Sequence, residues 1–292
     1  MSQTLRLGTR GSQLAVTQSG LVADAVSMAT GVRVELVVIK TRGDQVADRP
    51  LQEVGGKGLF TKEIEDALLE GLVDFAVHSM KDMPTDAPEG LIFASIPQRV
   101  DPRDALVGST LEQLPQGAVV GTGSVRRALQ LRALRPDLDI QGIRGNVDTR
   151  IEKQRSGQYA AILLAMAGLL RLGRAGDAAE ALPLEDMIPA VGQGALAIQC
   201  RGSDDDVQRI LGSIHHEPTA LCIAAERAFL AQVSGGCSAP AACHARMIDG
   251  MVVADGVWAA DEASPPRRLQ LRSDPLHVHA MGTELARKLI AG

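Results

Sequence analysis

Cys237 is the residue of this chain most suited to forming a covalent bond. It stands in the stretch Ser234-Gly235-Gly236-Cys237-Ser238-Ala239-Pro240. Two glycines strip side chains from the backbone just before the thiol, and Pro240 stops regular structure just after it. Cys237 is therefore expected on a loop that another group can approach closely. A single thiol in a globular chain is more commonly buried and inert. What sets Cys237 apart is the rest of the sequence. Arg10, Arg126, Arg127, Arg144 and Arg150 lie on or beside glycine-containing turns, Arg171 ends a short predicted helix, and Lys81-Asp82 follows a predicted strand. Guanidinium forks suit carboxylates. Together these residues predict a cleft that holds a polyanion, with Cys237 placed to tether it.

Charge narrows the ligand. The whole chain carries −5 and only 2% aromatic residues, which argues against a nucleic-acid binder and removes the stacking platforms that single strands need. Yet between Arg126 and Arg174 stand nine Arg and one Lys against Asp137, Asp139, Asp148 and Glu152, a local net charge of +6. A reversal that large points to a small anionic ligand. The four cysteines show no CxxC spacing, and a chain of 292 residues that is 45% hydrophobic builds a core without disulfides. Reduced thiols are expected. No apolar run of signal-peptide length opens the chain, and the longest run, near residues 160–170, is too short to span a bilayer. A soluble cytoplasmic protein is the expectation.

The elements that must position these residues follow from the pattern. A strand is predicted at Thr4–Leu7. Gly8-Thr9-Arg10-Gly11-Ser12 turns it into a helix that Ser12 caps, with Leu14, Leu21, Ala25 and Met28 on its apolar face. Strand, glycine turn and helix N-terminus make an anion site of free N–H groups and the helix dipole. A second strand, Val32–Ile39, leads into Thr41-Arg42-Gly43-Asp44 and a glycine stretch, Gly55-Gly56-Lys57-Gly58, read as a loop over the cleft. Its spacing is not that of a nucleotide P-loop. A helix from Thr61 to Leu69 turns Ile64 and Leu68 inward. The strand Phe75–Val77 delivers His78-Ser79-Met80-Lys81-Asp82-Met83-Pro84 to a strand end, where parallel sheets bind ligands. For His78 alone a structural role is expected.

Asp101-Pro102-Arg103-Asp104 reads as a crossover, and Ala105–Val107 begins a second α/β unit. There Ala118–Val120, the turn Gly121-Thr122-Gly123-Ser124 and a helix bearing Arg126 and Arg127 repeat the plan of the N-terminus. Strands at Ile140–Ile143 and Tyr159–Leu164 follow, with Arg144-Gly145-Asn146 opening another helix. Pro189-Ala190-Val191-Gly192-Gln193-Gly194 reads as a hinge, and Ala195–Cys200 as a strand returning to the first lobe. Glu217–Val233 is a long helix, and Asp249-Gly250 marks a hairpin between Ala245–Ile248 and Met251–Trp258. The strand Leu269–Leu271 and the helix His279–Ile290 complete a small α+β domain. The expected fold is α/β: a first lobe of mixed sheet from residues 1–99 and 195–213, a second from 100–190, and a C-terminal α+β domain, 217–292, that carries Cys237.

These ordered motifs closely resemble the porphobilinogen deaminase (hydroxymethylbilane synthase) family over nearly the whole chain. The resemblance rests on Gly8–Ser12, Thr41–Asp44, Gly55-Gly56-Lys57-Gly58-Leu59-Phe60, Val77–Asp82, Gly121–Arg127, Arg144-Gly145-Asn146, Pro189–Gly194 and Gly235-Gly236-Cys237. Departures are small: Gly123 stands where the family often has Ser, and Ser238-Ala239 where Gln-Val is familiar. The resemblance implies two lobes like those of periplasmic binding proteins, and a dipyrromethane cofactor joined to Cys237 by a thioether. It also implies head-to-tail condensation of four porphobilinogen molecules with loss of ammonia, then hydrolytic release of 1-hydroxymethylbilane. Each pyrrole carries an acetate and a propionate, so the growing chain is the polycarboxylate that the arginines call for.

Roles then follow motif by motif. Asp82 is implied as the catalytic carboxylate, steering pyrrole nitrogens and stabilising the cation left when ammonia departs. Lys81, Thr122, Ser124, Arg126, Arg127 and Arg150 are implied as cofactor-binding. Arg10, Ser12, Arg144 and Arg171 are implied as substrate-binding, with Lys57 on the loop that closes over the site. The implied protein is a cytoplasmic monomer without nucleic-acid or membrane partners and without a metal. A zinc site at Cys237, Cys243 and His244 is weaker, since a fourth ligand at suitable spacing is missing. The competing reading is a two-lobed solute-binding protein without catalysis, because such clefts serve both.

Overall fold

In the computed structural model the described residues are 4–41, 61–85, 88–233, 240–262 and 264–292. Lys57, Cys237 and the motifs at 42–44 and 55–60 lie outside them. The chain divides into two compact units, Met1–Arg99 with Ala195–Ala220, and Val100–Gly194 with Leu221–Gly292.

The first unit holds one five-stranded mixed sheet in the order β2-β1-β3-β10-β4. β1 (Thr4–Arg10) pairs in parallel with β2 (Arg33–Ile39) and β3 (Phe75–Ser79). β10 (Leu196–Arg201) runs antiparallel between β3 and β4 (Leu91–Ser95). Leu5, Leu7, Phe75, Val77 and Ile198 pack under α1 (Gln13–Thr30) and α6 (Asp205–Gly212), while Val73, Ala76 and Leu91 meet Ile64 and Leu68 of α2 (Lys62–Leu69). A sheet covered on both faces needs apolar residues at consecutive positions, as Phe75-Ala76-Val77 supplies. α2 buries the residues that its spacing predicts. α1 does not: Leu21 is 53% exposed and Met28 88%, and the buried face is Gln18, Ser19, Val22, Ala23 and Val26. Two stripes about one residue apart both satisfy helical spacing. The structure chooses the one whose polar members find partners: Gln18 bonds Ser79 Oγ at 3.2 Å and Ser19 bonds Thr9 Oγ1 at 2.8 Å.

The second unit repeats the design. β6 (Val119–Gly121) pairs in parallel with β7 (Asp139–Gln141) and β8 (Ala161–Ala165), and β5 (Asp104–Val107) runs antiparallel between β8 and β9 (Ala178–Ala181). The order β7-β6-β8-β5-β9 mirrors that of the first sheet. Along β5 and β8 alternate residues feed two cores. Leu106 and Leu163 join Leu131 of α3 (Val125–Leu134), whereas Val107 and Ile162 join Ile151 of α4 (Val147–Arg155) and Leu169 of α5 (Met166–Arg171).

The third sheet, β11 (Ala241–Ile248), β12 (Met251–Trp258) and β13 (Arg267–Ser273), is the antiparallel meander expected of the α+β domain. One face packs on α7 (Glu217–Gln232) and α8 (Val278–Ala291) through Phe229, Ala225, Val252, Leu285 and Leu289. The two helices cross closely at Gly282: a Cβ there would lie 2.1 Å from the Ala225 carbonyl oxygen. Glu226 of α7 is fully buried and accepts from the backbone N–H of Gly192 (2.7 Å) and of Ala245 (2.8 Å), with His244 Nδ1 at 3.5 Å.

Candidate active site

Within each unit the residues with chemistry collect at the carboxyl ends of the parallel strands. In the first unit Arg10 ends β1, and Ser12 caps α1 by accepting from Ala15 N–H at 3.3 Å. β3 runs into a 3₁₀ turn, Met80–Asp82, whose Met80 N–H is held by the Ala195 carbonyl at 3.1 Å. Lys81 is half-buried and Asp82 exposed on this turn. Asp82 makes no ion pair among the described residues, so its carboxylate is not spent on Lys81. Behind the turn, Ser79 is tied to Gln18 of α1.

His78 lies under the same strand end, buried against Gln199 and near Arg10. Burial, and after it the charge of Arg10, pushes its pKa from 6.5 down to about 4, although Gln199 acts the other way. Between those values the unfolded chain binds a proton that the folded chain refuses. The stability from a neutral His78 is therefore fully present above about pH 6.5 and is lost as pH falls toward 4. The loss amounts to about 3 kcal/mol at most. His78→Gln is expected to flatten the urea-derived stability curve across this interval. A variant curve as steep as the wild type would place the acid sensitivity elsewhere.

In the second unit two turns that follow parallel strands carry hydroxyl and amide caps of the helices behind them. After β6, Thr122 Oγ1 accepts from Ser124 N–H (3.2 Å), and Ser124 Oγ accepts from Arg127 N–H (3.4 Å) as the cap of α3. Both hydroxyls keep an O–H to donate. After β7, Asn146 caps α4 by accepting from Thr149 N–H at 2.8 Å. The preceding Gly145 sits at φ 117° with Thr149 so close that a Cβ would lie 2.7 Å from it. Only glycine suits that turn.

Arg126 and Arg127 are each 6% exposed and converge on Asp104, which is fully buried at the start of β5. Burial alone would raise the pKa of Asp104. The charges of Arg126 and Arg127, with bonds from Arg126 and Gln193, outweigh it and hold the carboxyl well below the usual range. In the sequence Asp104 closes the crossover motif Asp101-Pro102-Arg103-Asp104, and nothing in its local pattern marks it as the anchor of two arginines.

The other arginines of the basic stretch divide cleanly. Arg135 pairs with Asp137, Arg155 with Glu152 and Asp177, and Arg174 with Asp148 and Asp177; Arg132 lies 3.8 Å from Glu262. Arg144, Arg150 and Arg171 have no carboxylate partner among the described residues. Arg150 donates to the Gly145 carbonyl and Arg171 to that of Gly194, both at 2.8 Å. Burial lowers the pKa of Arg171 to about 10. Burial, reinforced by Arg127 and Arg144, does the same to Arg150. Partly desolvated cations without counter-ions fit a polycarboxylate cofactor and substrate.

Residues 5–209 match the family model described as porphobilinogen deaminase, dipyromethane cofactor binding domain, and residues 220–291 match porphobilinogen deaminase, C-terminal domain. The chain belongs to the porphobilinogen deaminase family. Relatives named porphobilinogen deaminase include those of Roseiflexus sp., 47% identical across 99% of this chain and 97% of the relative, and of Syntrophobacter fumaroxidans, 44% identical across 99% and 94%. Among solved structures the methionine-binding protein MetQ is similar at 13% identity and a TM-score of 0.44, covering 72% of this chain and 89% of that one.

Membership of the porphobilinogen deaminase family links the chain to tetrapyrrole biosynthesis and to the dipyrromethane cofactor of the matched domain. Sequence reasoning found Arg126 and Arg127 but missed the residues that hold them, Asp104 and Gln193, and missed Gln18, which holds Ser79 behind the Lys81-Asp82 turn. Asp104 and Gln193 both stand in motifs the sequence offers, a crossover and a hinge, neither of which marks them as partners of arginine.

Proposed function

We propose that the protein is a hydroxymethylbilane synthase, a cytoplasmic monomer that condenses four porphobilinogen molecules and releases the linear tetrapyrrole. The observation that carries this reading is the division of the arginines: among the described residues three half-buried or exposed cations, Arg144, Arg150 and Arg171, lack a carboxylate partner in a stretch, Arg126–Arg174, whose other arginines have one. Bound through Cys237, the dipyrromethane would supply the free pyrrole α-carbon on which the chain starts, and the free α-carbon of each ring added would serve the next.

This chain's own residues do the rest. Lys81, Thr122, Ser124, Arg127 and Arg150, with Arg126 beside them, orient the cofactor carboxylates. Arg10, Ser12, Arg144 and Arg171 orient those of the incoming porphobilinogen, and Lys57 closes over it. Asp82 fixes the pyrrole N–H of the substrate and favours the cation formed as its aminomethyl nitrogen leaves, protonated, as ammonia. The domains are taken as 1–99 with 195–213, 100–190 and 217–292; the separate sheet and core of each support this division.

Incubation with porphobilinogen tests the function directly. One ammonia is expected per porphobilinogen consumed, with a tetrapyrrole mass in solution. Binding of porphobilinogen without ammonia release would favour a solute-binding protein instead.

A further inference from the structure

Arg126 and Arg127 are adjacent in sequence but differ in what they have left to offer. Arg126 donates from Nη1 to Asp104 Oδ2 (2.6 Å) and the Ile188 carbonyl (2.8 Å), and from Nη2 to Asp104 Oδ1 (3.2 Å) and Gln193 Oε1 (3.5 Å). Both terminal nitrogens are thus committed to the protein, and only Nε–H remains. Arg127 donates from Nε and Nη2 to Asp104 Oδ1 (2.9 and 2.7 Å) and from Nη1 to the Leu163 carbonyl (3.0 Å). That leaves one N–H on each of its terminal nitrogens, the pair that a carboxylate takes with its two oxygens.

Asp104 itself is held on several sides. Besides the arginines it accepts from Gln193 Nε2 at 2.9 Å, and Gln193 also donates to the Pro102 carbonyl at 2.7 Å. Gln130, one turn further along α3, accepts from Ile188 N–H (2.9 Å) and donates back to the Ile188 carbonyl (3.0 Å), fixing the acceptor that Arg126 uses. One buried carboxylate between two guanidiniums leaves a surplus positive charge, and Arg127 is the member able to present it.

We propose that Asp104 is a positioning residue for the reaction: it commits Arg126 to the protein frame and leaves the fork of Arg127 as the one that grips a cofactor carboxylate. This rests on the reading that the turn after β6 holds the cofactor. Arg126 then acts only through Asp104, and its removal matters because the buried carboxylate loses a partner.

The test follows adduct formation by intact mass when apo-protein is incubated with porphobilinogen, at a temperature where circular dichroism shows each variant folded. Arg127→Gln is expected to slow loading by about 10²-fold or more, and Asp104→Asn by roughly 10²-fold through misplacement of the fork. The deciding measurement is a double-mutant cycle. In the Asp104→Asn background, Arg126→Gln is expected to change the loading rate less than about threefold, whereas Arg127→Gln costs a further factor of about ten or more. A further tenfold loss from Arg126→Gln in that background would show Arg126 touching the cofactor, and would overturn the proposal. So would wild-type loading by folded Asp104→Asn, which would make Asp104 purely structural. If Asp104→Asn does not fold, the cycle is run in Asp104→Glu, which keeps the buried charge; unequal arginine effects support the proposal and equal ones overturn it. Wild-type loading by Arg127→Gln is a separate failure, that of the turn as a cofactor site.

Discussion

Cys237→Ala is expected to leave expression as apo-protein, at the mass of its own sequence, and to consume no porphobilinogen. Covalent attachment needs a thiolate that can be reached. Of the four cysteines in the chain, Cys200, Cys222 and Cys243 are buried. Burial, and then the charge of Asp204, pushes the Cys200 thiol up to about 11 although Arg201 opposes it, so almost none of it is thiolate at neutral pH. Cys222 and Cys243 sit in the core between α7 and the third sheet, among Phe229, Val252 and Leu285. Alanine at any of these three is expected to keep the adduct, with a loss of stability of about 1–3 kcal/mol at the core positions. Electrospray mass of the four single variants reads the result directly. An adduct that persists in Cys237→Ala, or disappears from Cys200→Ala alone, would move the attachment to another thiol.

Asp82→Asn is expected to fold and to acquire cofactor during slow expression, yet to turn over porphobilinogen about 10²–10³-fold more slowly. Loss of ammonia spreads positive charge over a pyrrole ring and its nitrogen. A fixed carboxylate beside that nitrogen favours the cation over the neutral substrate, and asparagine keeps the shape and one acceptor but not the charge. The 3₁₀ turn Met80–Asp82 is anchored by Met80 N–H on the Ala195 carbonyl and by the neighbouring Ser79–Gln18 bonds, so the backbone at residue 82 does not depend on the carboxylate. Asp82→Glu is expected to retain part of the rate, because the charge survives though displaced. Single-turnover formation of the first enzyme–substrate complex on holo-protein is the measurement. A wild-type rate in Asp82→Asn would remove the carboxylate from the chemistry.

Much of this protein is local and could be read from its sequence. Ser12, Ser124 and Asn146 each cap the helix that follows them because a short polar side chain three residues ahead of an N–H reaches it whatever the rest of the fold does. The same is true of the strand–turn–helix repeat that opens both lobes, of the hairpin at Asp249-Gly250, and of the local excess of arginine. The short strands β4 and β9 gave no such signal. They lie at sheet edges, and their sequences, Leu91–Ser95 and Ala178–Ala181, show no alternation that separates a strand from a connection.

The tertiary structure decided which cations are spent and which are available. Arg126 and Arg127 meet Asp104 across 22 and 23 positions of chain, and Arg174 meets Asp148 across 26. It also decided which face of α1 is inside, through Gln18 and Ser19 finding Ser79 and Thr9 on neighbouring strands. An ion pair or a buried hydrogen bond forms only within about 3–4 Å. A sequence records which charges exist, but only packing brings two of them that close, and so leaves Arg144, Arg150 and Arg171 without a carboxylate of their own among the described residues.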